Sequence, residues 1–502
     1  MTYFFKAKFL LLLFFLSLLS ANLILAFERE DLELQRCQHQ CKHQEKFDER
    51  QQRECEQRCE DYLEEKQRRQ HVEQRREQGY QEEEDGKQYR DNPYLFDEQS
   101  WRTVIEEEGG STKVLERFTR KSNLLRGIDN FRVSLYEANP RTFSLPNHWD
   151  AESVSFVTNG YGTITLVKNN NRETFNIKRG DILRIPAGTI VYLVNKDKQE
   201  KLQIIDAFSI PGHFETFFGL GGKENPESYF RAFNTEILAA AFNVHSREKV
   251  ERLFGERKKG VFLRASEKQI RELTKHASSE GGIWPFRGGG RPRGPFNLFD
   301  QRPSTSNNFG ELYEAKPHEF KQLPELDVGV SFANISRGAM AGPYFNTRAV
   351  KVAVVVDGTG WFEMACPHYH PSTSQSFEEQ GRSRLQEEEE EEREGESGPQ
   401  YQKIRGQLSP GTVFVTLVGH PLVVLASNDE NLQLVCFEIN AEHNERIQLA
   451  GKENVIQQLE KEAKELSFGV PEKQVDEVFN SQKESFFFPG PHHRHGGGHA
   501  ST

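Results

Sequence analysis

The sequence predicts an all-β chain with helical arms: two tandem jelly-roll β-barrel domains, each followed by a short α-helical arm. Three observations carry that expectation. In Val350 to His368, VKVAVVVDGTGWFEMACPH, two alternating β-rich runs meet at Asp357-Gly358-Thr359-Gly360, which reads as a hairpin. Val154-Ser155-Phe156-Val157, Thr158-Asn159-Gly160-Tyr161-Gly162 and Thr163 to Val167 repeat the pattern, so a domain is duplicated. Short strands with Gly, Asn and Pro between them recur at Val114-Leu115, Phe131-Val133-Leu135, Phe156-Val157, Ile164-Leu166, Ile182-Leu183-Ile185 and Val191-Leu193. That density of strands indicates a barrel or double-sheet jelly roll.

The 502 residues are long enough for two or more domains, each with its own core. Hydrophobic content is 35% and charged content 28%, and the polar excess collects in identifiable tails and loops. The net charge of −11, without a basic face, argues against nucleic acid as a partner. Only three methionines occur, while Glu, Gln, Arg and Asn abound outside the strands. That bias is either solvated surface or a chain whose amino acids are themselves the payload, rich in nitrogen and poor in sulfur.

Residues 1–26 read as a signal peptide. Lys6 and Lys8 precede the apolar run Phe9 to Leu19, and small residues follow at Ser20-Ala21 and Ala26. The run is short for a membrane span, so the mature form is expected to have no membrane anchor and to enter an oxidising compartment. Residues 27–90 hold Cys37-x3-Cys41 and Cys55-x3-Cys59 among good helix formers. Cysteines four apart share a helix face, and two such helices folded back would pair Cys37 with Cys59 and Cys41 with Cys55. A zinc site is the alternative. From Asp61 to Arg90 the charged chain lacks a core face and reads as a linker open to proteolysis.

The first β domain and its arm span 91–285. Asn92-Pro93-Tyr94-Leu95-Phe96 opens it with a Pro turn and an aromatic anchor. Gly180 to Asn195, GDILRIPAGTIVYLVN, resembles the second motif of the cupins, with Val191 where that motif has a metal-binding His. Around Leu145 to Asp150, Pro146 and His148 take the two His positions of the first motif, and Ser153 takes the Glu position. One clear ligand cannot hold a metal, so oxidase or dioxygenase chemistry is not expected here. Asn225-Pro226-Glu227-Ser228 starts a helical arm, carried by Ile237 to Phe242 and Val250 to Phe254.

Residues 286–305 are a linker expected to lie along the surface. The second domain and arm, 306–489, are expected to resume strands at Leu326. Asn334-Ile335-Ser336 is a glycosylation acceptor in a strand context. Tyr344 and Asn346 stand at the His positions, Lys351 at the Glu, and Leu422 at the second-motif His. Cys366 and His368, two apart, would share a strand face, with His420 at a Gly-His-Pro turn nearby. A thiolate with imidazoles suits copper or zinc; the alternative is a buried thiol with surface histidines. Cys436 reads as core. The acidic loop 372–399 is a solvated insertion, and 490–502 are a tail. Val455-Ile456, Leu459, Leu466 to Phe468 and Val475 to Phe479 repeat the helical arm; such apolar helices are expected to bury their stripes on a neighbouring subunit, the alternative being packing on their own barrel.

Two degenerate cupin domains with arms, a Cys-x3-Cys leader and an acidic loop resemble a vicilin, the 7S seed storage globulin of the bicupin family. The most specific segments are Leu145 to Ala151, Pro186 to Thr189, Gly342 to Asn346, Ala365 to His368 and Phe486 to Gly490. The resemblance implies a non-enzymatic nutrient reservoir, a homotrimer joined through its arms, storage in seed vacuoles, cleavage by processing proteases and frequent allergenicity. No cofactor is required, but some members hold copper, and the matching residues here are Cys366, His368, His420 and Tyr94. Two other functions stand beside storage: a metal cupin enzyme of the oxidase or dismutase kind, and a defence protein acting through the cysteine hairpin.

Overall fold

Why each strand has an inner and an outer face follows from its alternation. Along Glu152–Asn159, Val154 and Phe156 join one core while Val157 joins another, and Ser153 and Ser155 share the second face with Val157. The computed structural model describes residues 92–210, 214–222, 226–255, 260–278, 294–320, 323–367 and 401–491. The signal segment, the four cysteines from Cys37 to Cys59, the acidic loop, His368 and the tail beyond Pro491 lie outside them.

Each half presents a seven-stranded front sheet. In the N-terminal half the order is Phe296–Asn297, Asp181–Ile185, Glu152–Asn159, Leu202–Ser209, Phe131–Ala138, Gly110–Leu115 and Trp101–Glu107. In the C-terminal half it is Leu95–Phe96, Val413–Thr416, Val350–Asp357, Leu432–Ile439, Val328–Ile335, Gly310–Ala315 and Thr305–Asn307. The two lists correspond strand for strand, and the first strand of each comes from the other half. Leu95–Phe96, ahead of the N-terminal barrel, pairs antiparallel with Val413–Thr416. Phe296–Asn297, ahead of the C-terminal barrel, pairs with Asp181–Ile185. Each leader then enters a short 3-10 turn, capped by the Asp97 side chain in one half and by Asn297 in the other.

The front sheets pack on each other through one apolar core that includes Phe96, Phe118, Phe156 and Ile182 from the first half and Phe332, Val354 and Phe414 from the second. Phe156 and Phe332 stack with ring centroids 6.3 Å apart, and Trp101 Nε1 donates to the Gly411 carbonyl at 2.7 Å. The back sheets close the barrels. The N-terminal one has five strands: Phe262–Arg264, Thr142–Ser144, Ile190–Asn195, Tyr161–Lys168 and Asn171–Lys178. The C-terminal one is built on Gln402–Leu408, Gly360–Cys366, Leu422–Ala426 and Ala339–Asn346.

Four expectations are corrected here. The two glycine turns are not hairpins. Val350–Asp357 pairs in the front sheet with Val413–Thr416 and Leu432–Ile439, whereas Gly360–Cys366 pairs in the back sheet with Gln402–Leu408 and Leu422–Ala426. Glu152–Asn159 and Tyr161–Lys168 part in the same way. The turns are corners between sheets, and alternation alone looks the same whether a strand pairs locally or across the barrel. Gly358 makes its corner with φ +77°, where an added Cβ would meet the Asn431 carbonyl oxygen at 1.8 Å. The linker does not lie along the surface throughout, because Leu298 is fully buried. Strands resume at Thr305 rather than Leu326; the pair 305–315 is too polar to signal itself. Helical structure in the first arm begins at Tyr229, with Ser228 as cap.

The N-terminal arm consists of α1 (Thr235–Ala241), capped by Asn234, and α2 (Arg247–Gly255). Leu238, Val250 and Phe254 pack together with Phe230. A third helix, α3 (Glu267–Thr274), starts with the Ser266–Gln269 capping box and packs Ile270 on Val194 and Ala265. The C-terminal arm consists of α4 (Lys461–Phe468) and α5 (Glu472–Phe479). Gly469 ends α4 in the left-handed conformation, and buried Lys464 reaches the Asp476 carboxylate at 2.9 Å. Both arms leave large apolar side chains in solvent: Ile237 is 61% and Leu253 70% exposed, Leu466 86% and Val478 68%. Among the described residues no helix is long and apolar enough to cross a membrane.

Candidate functional site

The barrel interiors are the first place to look for chemistry, since the cupin motifs converge there. In the N-terminal barrel Val191 is buried in the lumen wall and Ser153 is fully buried. His148 is turned to aromatic neighbours, its ring stacked on Phe217 at 5.0 Å and edge-on to Tyr229. The polar centre is Asp206, which accepts from Ser155 Oγ at 2.5 Å and Ser134 Oγ at 3.1 Å. Burial pushes its carboxyl up to about 6, against the opposing pull of the two serines.

The C-terminal lumen is charged. Ser331 opposite Cys436 occupies the register that Ser134 opposite Asp206 holds in the first half. Lys351 Nζ donates to Tyr344 Oη at 3.1 Å and lies 3.3 Å from Glu438 Oε1, which also accepts from Ser331 Oγ at 2.8 Å. Burial alone would lower the Lys351 pKa, but the groups at Tyr344, Cys436 and Glu438 outweigh it and hold the ammonium charged. Arg446 pairs with Glu314 at 2.5 Å and lies over the rings of Tyr344 and Phe486. Burial pushes the Cys436 thiol up to about 11. A cavity of about 20 Å³ remains beside Tyr344, Lys351 and Cys436, room for about one water. These groups are partnered to each other. Among the described residues no three His, Cys, Asp or Glu side chains gather as a metal would need. Charged residues set in apolar strands, Lys351 in VKVAVVV and Glu438 in LVCFEI, were the sequence signal for this network, and motif matching passed over it.

The second site joins the exchanged leader to the back sheet. Tyr94 is fully buried, and its Oη lies 3.1 Å from Cys366 Sγ. The Val415 amide donates to the Tyr94 carbonyl, Tyr94 N donates to Asn92 Oδ1, and Asn92 Nδ2 donates to the Arg405 carbonyl. Ala365 N donates to the Pro421 carbonyl at 2.9 Å, which brings the Gly-His-Pro turn alongside Cys366. The rings of Tyr94 and His420 are 6.4 Å apart. His420 Nδ1 lies 2.9 Å from the Val418 carbonyl; a carbonyl only accepts, so Nδ1 carries the hydrogen and Nε2 the lone pair. Burial lowers the His420 pKa and keeps the imidazole neutral. Burial, with Cys366 adding, raises the Tyr94 phenol well above its usual value.

Thiol, imidazole and phenol suit copper or zinc in donor type. The strand ends at Cys366, where Pro367 has no amide hydrogen for the ladder. His368, expected to share a strand face with Cys366, lies outside the described residues. Cys436 is buried core, as its run implied. Asn334 stands on Val328–Ile335 between Glu311 and Gln433, with Oδ1 buried. Cys37, Cys41, Cys55 and Cys59 lie outside the described residues.

Two barrels of this topology in one chain define a two-domain cupin, and a cupin family model matches residues 96–249 and 296–476. A vicilin of Juglans regia, Jug r 6.0101, is 50% identical over 492 residues, covering 96% of each chain. The crystal structure of the Corylus avellana vicilin superposes with a TM-score of 0.68 at 46% identity, over 80% of this chain and 99% of that one. Vicilin-like antimicrobial peptides 2-1 of Macadamia integrifolia is 45% identical over 406 residues, 80% of this chain and 59% of that protein. The chain belongs to the vicilins, the 7S seed storage globulins, and is a storage protein rather than an enzyme.

Proposed function

We propose that the protein is a nitrogen reserve of the seed storage vacuole, packed as a homotrimer whose subunits join arm to arm. The observation that carries this is the pair of helical arms, one after each barrel: the first packs Leu238, Val250 and Phe254 with Phe230, and the second sets Phe468 against Phe479. Each arm leaves a different apolar surface in solvent, Ile237 and Leu253 on one and Leu466 and Val478 on the other. Two unlike patches on one subunit make a head-to-tail contact, and such contacts close into a ring when the rotation between neighbours is one-third of a turn. Burying an exposed leucine on a neighbour is favourable by about 1.5–3 kcal/mol, so several together hold an assembly. Leu238 is buried inside its own arm, and a charge there would disrupt the arm rather than the contact. Leu253→Asp and Leu466→Asp are the informative changes. Multi-angle light scattering is expected to show a trimer for the parent chain and monomers for either variant; a trimer that survives both sinks the arm reading.

A structural copper held by Cys366, His420, Tyr94 and His368 fits the same function, supported by the donor types around Cys366. A defence role for the cysteine hairpin, released by processing proteases, draws support from the name of the Macadamia relative. Mass spectrometry of seed extract that finds only the intact precursor removes that second role.

A further inference from the structure

Between α3 and the outer face of the N-terminal back sheet lies a cleft of about 990 Å³, at the upper end of the range that small-ligand sites occupy. It lies outside the barrel and away from the Cys366 site. Phe143 and Tyr192, from neighbouring strands, form an aromatic wall with ring centroids 5.7 Å apart, and Leu273 of α3 lines the cleft as well. Two guanidinium groups, Arg172 and Arg264, line it too, and neither has a salt-bridge partner among the described residues. Three carboxylates share the lining. Glu107 is engaged by the amides of Val261 and Phe262 at 3.0 and 2.9 Å, and Glu272 lies 3.5 Å from Lys275. None of the three carboxylates lies within ion-pair distance of Arg172 or Arg264, so both guanidiniums keep their donors open to a ligand, and His276 stands with them. The C-terminal barrel interior differs in both respects: its charged groups are matched to one another, and the space left there holds about one water.

We propose that this cleft binds a planar aromatic monoanion of the hydroxycinnamate type. The ring packs against the Phe143–Tyr192 wall, where offset or edge contacts between aromatic groups are favourable. The carboxylate meets Arg264, whose planar fork matches two carboxylate oxygens. Ring and charge are both required, because the wall alone would take any apolar group and the arginines alone any anion. This site goes beyond storage and stands or falls without it.

Isothermal titration of the full-length chain with ferulate tests the proposal, beside ferulic acid methyl ester and acetate. Saturable ferulate binding is expected, weakened about tenfold or more in Arg264→Ala, as loss of one charge-assisted hydrogen bond implies. The ester and acetate are expected to bind at least about tenfold more weakly than ferulate. Tyr192→Ala is expected to weaken ferulate as well; Arg264 is exposed, so its variant stands even if the Tyr192 change fails to fold. Absence of saturable ferulate binding at millimolar concentration overturns the proposal. So does equal binding of the ester, or an affinity untouched by Arg264→Ala, which would place the ligand elsewhere.

Discussion

Replacing Asp206 with Asn should stabilise the protein at neutral pH and do almost nothing in acid. Asp206 is 6% exposed, and its carboxyl accepts two serine hydroxyls with no cation in contact. Its folded pKa of about 6 stands above the usual 3.8, a difference of about two units, or about 3 kcal/mol. The sign follows from which state holds the proton. Between about pH 4 and pH 6 the folded chain keeps a proton that the unfolded chain has lost, so the wild type loses stability as pH rises through that window. Above it the full penalty of a buried carboxylate is present. Asn carries no charge, and its amide can accept from one serine while donating to the other, whose hydroxyl is free to rotate. Urea unfolding at one fixed protein concentration, at about pH 4 and about pH 8, should show a gain for Asp206→Asn of about 2–3 kcal/mol at the higher pH and under about 1 kcal/mol at the lower. An equal effect at the two pH values would mean that packing, not ionisation, governs the site, and the reasoning would be wrong.

Lys351→Met strands Glu438 in the C-terminal lumen and is expected to cost about 3–5 kcal/mol in urea unfolding; adding Glu438→Gln should recover most of it, and a single variant within about 1 kcal/mol of wild type refutes the network's importance. A chain beginning at Asp97 lacks Tyr94 and should expose the Cys366 thiol to a disulfide reagent, whereas one beginning at Asn92 should stay protected. Equal rates would show that the leader does not cover the thiol. Metal analysis of natively purified protein is expected to find about one copper per chain, as a single site of this donor set holds, and little in Cys366→Ser. No copper in either leaves the barrels without metal.

Much of the fold was legible in the sequence because duplication doubles every weak signal. The runs around Gly160 and Gly358 marked equivalent turns, though as hairpins rather than corners, and Gly180 to Asn195 marked two barrel strands. Sheet membership was not legible, since Val352, Val354 and Val356 alternate identically whether the neighbouring strand follows in sequence or arrives from elsewhere. The leader strands were missed because Leu95–Phe96 and Phe296–Asn297 are two residues long and carry no period at all. The Cys366 site was legible as far as its residue types, and Tyr94 lies beside Cys366. The Asp206 and Lys351 clusters were not, because a motif search asks for what ligands are present and never for what has replaced them.

The crossed leaders give the molecule a clasp. Each half carries its neighbour's outermost strand, so the two barrels are woven together as well as linked end to end. A protease that cuts between Ser278 and Gly294 would sever the backbone without parting the pieces, because Phe296–Asn297 still lies on the first barrel and Leu95–Phe96 on the second. A nicked store would keep its shape and solubility and would yield its amino acids only when a strand peels away. The order in which a germinating seed could dismantle such a protein would then be set by which leader lets go first.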